Sequence, residues 1–134
     1  MLGASDRSHV VLGDFEFPTM AQIWLAQQRR GASIRWARAA GDGLEIDAYE
    51  RVIDERTLIV PATHVCFRNG HKTDMAALTR LAHTRGALVF VDDYQRTGSG
   101  PIDVHALGID FMVTGCLKYL LAAAGVAFLY VRRD

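Results

Sequence analysis

Ala87-Leu88-Val89-Phe90-Val91-Asp92-Asp93-Tyr94-Gln95 is an apolar run that ends abruptly on two acids. An unbroken apolar stretch of this length reads as a parallel strand covered on both faces, and charge begins where burial ends. Such a strand needs helices above and below it. The stretch therefore predicts an α/β domain with a mostly parallel sheet and right-handed crossovers.

The chain on either side fits that plan. Upstream, Asp74 or Thr73 starts a helix in which Met75, Leu78, Leu81 and Ala82 form one apolar face, and Gly86 ends it. Thr57 to Val60 opens another buried strand running towards His64 and Val65. Pro61 lacks a ladder donor, which predicts either a bulge there or a strand placed towards an edge. Asp47 to Asp54 fits a short amphipathic helix. Ala32 to Ala37 alternates with period two, as an edge strand would. Before it, Thr19 is placed to cap a helix from Met20 to Arg30 that Gly31 ends, and His9 to Leu12 is the first strand. Downstream, Thr97 to Pro101 is a Gly-rich loop and Val104 to Leu107 a single helical turn. Ile109 to Val113 is the next buried strand, and Gly125 to Val131 the last, close enough behind to run antiparallel.

Composition narrows the function classes. The 134 residues are half hydrophobic, enough for one domain with a real core. Fifteen acidic residues balance 15 basic ones, so neither a nucleic-acid backbone nor an anionic membrane surface is favoured as a partner. Cys66 and Cys116 are too few and too far apart for a disulfide framework or a zinc spacing, which suits a reducing cytoplasm. Met1 to Ser8 holds no apolar signal core, and no later run reaches the ~18 apolar residues of a membrane span.

In parallel sheets, ligands bind beyond the carboxyl ends of the strands. Four such ends carry chemistry: Phe17, His64 to Arg68, Asp92 to Gln95, and Thr114 to Lys118. Lys118 stands out because the chain has only two lysines, the other being Lys72. It reads either as a catalytic amine or as a solvated turn residue. A ring, an acid at a strand end, a hydroxyl and a lysine on one rim suit an aromatic aldehyde with a basic ring nitrogen and a phosphate, which describes pyridoxal phosphate. Only an amine bonds the aldehyde, and an acid keeps the ring nitrogen protonated. Asp92 is preferred to Asp93 for that acid because successive side chains on a strand point to opposite faces.

These residues, in this order, resemble a known family. Val91-Asp92-x-x-Gln95, Pro101-Ile102-Asp103-Val104, Ile109-Asp110-Phe111, Lys118 and Phe128-Leu129-Tyr130-Val131 are similar to the large domain of class V, fold-type I enzymes that use pyridoxal phosphate. Thr63-His64-Val65-x-Phe67-Arg68-x-Gly70, Asp74 to Leu78, Ala82-His83-x-x-Gly86-Ala87-Leu88 and Phe17-Pro18 look most like the kynureninase-related branch. The resemblance implies a three-layer, mostly parallel sheet. It implies that Lys118 bonds the cofactor, Asp92 partners the ring nitrogen, Gln95 the ring hydroxyl, Phe17 stacks on the ring and Thr114 meets the phosphate. It implies an amino-acid substrate and a homodimer. Kynureninases have histidine where Gln95 stands, aspartate where Met20 stands and tyrosine where Leu117 stands, and desulfurases place histidine before the lysine. Family members are also much longer, so residues 1–134 are expected to be an internal piece of the large domain, lacking an N-terminal segment and a C-terminal small domain. Such a piece could be inactive. A receiver-like domain is disfavoured because its acidic pair would follow the first strand.

Overall fold

The computed structural model describes residues 6–133; Met1–Ser5 and Asp134 lie outside the described residues, and with them most of the stretch read above for a signal core. Six strands form one sheet: β1 (His9–Gly13), β2 (Ser33–Ala37), β3 (Thr57–Thr63), β4 (Leu88–Asp92), β5 (Phe111–Gly115) and β6 (Ala127–Val131). Their order is β2-β1-β3-β4-β5-β6, with every pairing parallel except β5 with β6. The antiparallel closing strand follows from its short connection, since a parallel return would need a crossover of a dozen or more residues.

Helices α1 (Pro18–Leu25), α2 (Ile46–Glu50) and α3 (Met75–Thr84) make the outer layers. Tyr49 of α2 and Met75, Leu78 and Ala82 of α3 bury against Val11, Val60, Val89 and Val91 on one face of the sheet. Trp24 of α1 packs with Val10, Leu12, Ile59 and Phe90 on the other. Alternate residues of β1 serve the two cores, which explains why strands buried on both faces show continuous apolar runs. A side chain as fully buried as Leu78 stabilises the fold by about 1.5–3 kcal/mol.

Several boundaries differ from the sequence expectation. α1 begins at Pro18 with extended Phe17 as its N-cap, not at Thr19, because proline is preset for the first helical turn. It ends at Leu25, and a 3-10 segment (Ala26–Arg30) leads to Gly31, whose φ is 93°. α2 stops at Glu50, four residues short. Asp74 does cap α3, accepting the Ala77 N–H at 2.9 Å. β3 lies inside the sheet, not at an edge. Its register with β1 breaks between the pairs His9↔Thr57 and Val10↔Ile59, so the irregularity falls before Pro61, and the registered pairs end before the proline too. β5 starts and ends two residues later than expected, which carries Thr114 and Gly115 into the strand.

β6 forms the opposite edge from β2, and Phe128, Leu129 and Val131 on it are exposed, as are Leu117, Tyr119, Leu120 and Leu121 in the preceding loop. Among the described residues no helix is long and apolar enough to cross a membrane.

Candidate functional site

Lys118 is held in a closed turn beyond the carboxyl end of β5. Cys116 N–H donates to the Val126 carbonyl at 2.9 Å, Ala122 N–H to Cys116 at 3.0 Å and Leu121 N–H to Lys118 at 3.0 Å. Leu121 adopts a positive φ of 54° to complete the turn. The Lys118 Nζ stands 5.1 Å from the centre of the Tyr94 ring. That ring lies flush on the backbone of Gly115, where any Cβ would overlap it, so glycine is what lets the tyrosine sit beneath the lysine.

The end of β4 separates its two acids as the pleat requires. Asp92 is half-buried and accepts the Tyr94 N–H at 3.0 Å. Burial raises its carboxyl above the ordinary range; the Asp93 charge adds to this, while the Tyr94 N–H and the Lys118 charge oppose it. Asp93 is fully buried on the other side. It meets His64 Nδ1 at 2.6 Å and accepts the Thr97 hydroxyl, so it ties the loop after β3 to the loop after β4.

Phe17, Asp92, Gln95 and Lys118 line one cavity of about 650 Å³ between α1 and the sheet. The remaining wall is mostly apolar, with Met20, Ile23 and Trp24 from α1 facing Phe90 and Val113 from the sheet. Trp24 meets the Phe90 ring edge-on with centres 5.7 Å apart, and Phe17 meets Phe67 in the same way at 4.9 Å. Thr114 is the exception. Its side chain is buried and not among the residues lining the cavity, because β5 extends through Gly115 and Val113 takes the cavity-facing position of the pleat. The Thr114 hydroxyl lies 3.3 Å from the Gly115 carbonyl.

Three cavity features were not singled out from sequence. Tyr94, two residues past the strand-end acid Asp92, lines the cavity and lies under Lys118. Thr63 pairs in register with Asp92 and lines the cavity beside it. Glu16 is buried behind Thr63: its Oε1 accepts the Thr63 N–H at 3.1 Å and its Oε2 lies 2.8 Å from Thr63 Oγ1. Burial pushes its carboxyl up to about 8, the two Thr63 bonds opposing and the Asp92 charge adding.

The fold and this cavity define a class: a three-layer α/β domain with a lysine and an acid gathered at the carboxyl ends of a mostly parallel sheet. The chain belongs to the aminotransferase class-V family, whose pattern matches residues 3–134. It is 38% identical over 134 residues to the uncharacterized aminotransferase YcbU of Bacillus subtilis, a match covering 99% of this chain and 35% of the relative. It is 39% identical over 82 residues to a kynureninase of Pseudomonas fluorescens, covering 60% of this chain and 20% of the relative. The crystal structure of the cysteine desulfurase CsdA from Escherichia coli superposes with a TM-score of 0.87 at 24% identity, over 94% of this chain and 32% of that one. That last likeness bears on the fold, which is the fold-type I large-domain architecture. The chain spans about a third of the length of the relatives that it matches end to end. Members of the family depend on pyridoxal phosphate and act on amino-acid substrates.

Proposed function

We propose that this chain supplies part of the pyridoxal phosphate site of a cytoplasmic, homodimeric enzyme acting on an amino-acid substrate. The observation that carries the reading is that Phe17, Asp92, Gln95 and Lys118, from three separate strand ends, line one cavity in a chain of the class-V family. The fit is chemical as well as spatial. The cavity has room for a substituted pyridine, its walls are mostly apolar, and its polar residues are Lys118, Asp92 and Gln95 with the hydroxyl-bearing Thr19, Thr63 and Tyr94.

When bound, pyridoxal phosphate supplies an aldehyde carbon that takes up an amine and a ring that accepts the electron pair of a broken Cα bond. Lys118 brings the amine, and the turn that holds it fixes where that amine can reach. Asp92 would face the protonated ring nitrogen, whose positive charge would offset the penalty that burial places on the carboxylate. Gln95 offers its amide to the ring hydroxyl. Phe17 covers one ring face, and its edge contact with Phe67 keeps it in place. The exposed apolar residues on β6 and after Lys118 support a partner surface on that side, either the rest of the protein or a second subunit.

The test is a titration with pyridoxal phosphate followed by visible absorbance. The protein should develop a shifted band that Lys118→Ala lacks and Lys72→Ala keeps; a band surviving Lys118→Ala would overturn the assignment.

A further inference from the structure

Glu16 takes no part in the chemistry above, yet it is a carboxyl buried one bond away from the cavity wall. It sits between Phe15 in the core and Phe17 at the cavity. Gly13 makes room for it: a Cβ there would come within 2.5 Å of the Tyr49 hydroxyl and 3.3 Å of Glu16 Oε1. The titratable groups shown to interact with it are Asp92 on β4 and Tyr49 on α2. Neither is a cation, and Arg38 and Arg68 in the neighbouring loops are bonded to Asp14, one through its carboxylate and the other through its carbonyl. A carboxylate here would face the Asp92 charge in a dry setting, whereas a carboxylic acid would not.

We propose that Glu16 is a positioning residue: as a neutral carboxylic acid it accepts the Thr63 N–H at Oε1 and donates from Oε2 to Thr63 Oγ1, turning the Thr63 hydroxyl hydrogen into the cavity as a donor beside Asp92. The geometry accommodates this arrangement for a neutral acid: Oε1 accepts the Thr63 N–H at 3.1 Å, and a hydrogen on Oε2 has Oγ1 as its partner at 2.8 Å. Thr63 and Asp92 are register partners on the same face of the sheet. The rim thus presents an acceptor at Asp92 and a donor at Thr63 side by side. Ionisation of Glu16 reverses the bond: Thr63 then donates inward, and the cavity meets two acceptors side by side.

Two measurements on the purified protein test this. The first needs no cofactor. The infrared difference between wild type and Glu16→Gln should contain a protonated-carboxyl band at neutral pH that bleaches as pH rises through about 8. Thr63→Val should shift that band by removing one partner; absence of the band at neutral pH, or indifference to Thr63→Val, overturns the proposal. The second rests on the pyridoxal phosphate reading. Glutamine keeps the acceptor and donor of the neutral acid, so wild-type affinity relative to Glu16→Gln should fall roughly tenfold between neutral pH and about pH 9. A ratio independent of pH overturns the proposal, while no uptake by either protein refutes the cofactor reading and leaves the infrared result to decide.

Discussion

Replacing Asp93 by alanine tests whether the two loops at the site are held by one buried carboxylate. Asp93 is fully buried, meets His64 Nδ1 at 2.6 Å and accepts the Thr97 hydroxyl. Alanine would strand the His64 ring and the Thr97 hydroxyl beside a void in a part of the molecule where water does not replace the lost oxygens. Removing one member of a buried, hydrogen-bonded pair costs about 3–5 kcal/mol. Asparagine keeps an acceptor of the same shape and gives up one strong bond, which costs about 1–3 kcal/mol. With a urea dependence near ~2 kcal/mol per molar, the alanine protein should unfold roughly 2 M earlier and the asparagine protein about half as far. Urea denaturation read by circular dichroism gives both midpoints. Equal shifts for the two variants, each below about 1 kcal/mol, would show that the His64–Asp93–Thr97 link does not hold the loops together.

Glu16 makes stability depend on pH, with a sign that follows from its raised value. The folded protein holds the proton up to about 8 while the unfolded chain releases it near 4.5, so wild-type stability should be full below 4.5 and decline until about 8. At 1.36 kcal/mol per unit the ceiling is about 5 kcal/mol; Glu16→Gln should lose this dependence, and parallel stability curves for the two proteins would refute the burial argument. Gly115→Ala should displace the Tyr94 ring from beneath Lys118 and cost about 1–3 kcal/mol, read as a lower midpoint and weaker cofactor absorbance; an unchanged Gly115→Ala protein would show that the ring has another place to go.

The parts of the fold legible in the sequence are those where burial is uniform. β4 is sheltered on both faces, so Leu88 to Val91 could be apolar throughout and announce a parallel strand. The pleat then separated Asp92 from Asp93 with no further information, and the scarcity of lysine drew attention to Lys118. Reading failed where one local signal was outweighed by its setting. Pro61 argues against an interior strand, yet β3 lies between β1 and β4, and its registered pairs with β1 end before the proline, where a ladder donor is no longer needed on that side. Pro18 is itself the start signal of α1, and its fixed φ outweighs the capping capacity of the Thr19 hydroxyl one residue later. Where a strand stops also decides which side chains reach the cavity: β5 extends to Gly115, two residues past Val113, and Thr114 is buried within it. The Glu16–Thr63 contact joins residues 47 apart with no periodicity to mark it, and an acid between two phenylalanines looks like a surface residue until the fold closes over it.

The most direct measurement is chemical trapping of the bound cofactor. The protein is incubated with pyridoxal phosphate, reduced with borohydride and digested, and the modified peptides are identified by mass. Lys118 lines the cavity with Asp92, whereas Lys72 is exposed and is not among the residues lining that cavity. The account predicts a single adduct, on Lys118. Equal labelling of Lys72 and Lys118 would mean indiscriminate amine reactivity and would contradict the claim that this cavity is a pyridoxal phosphate site.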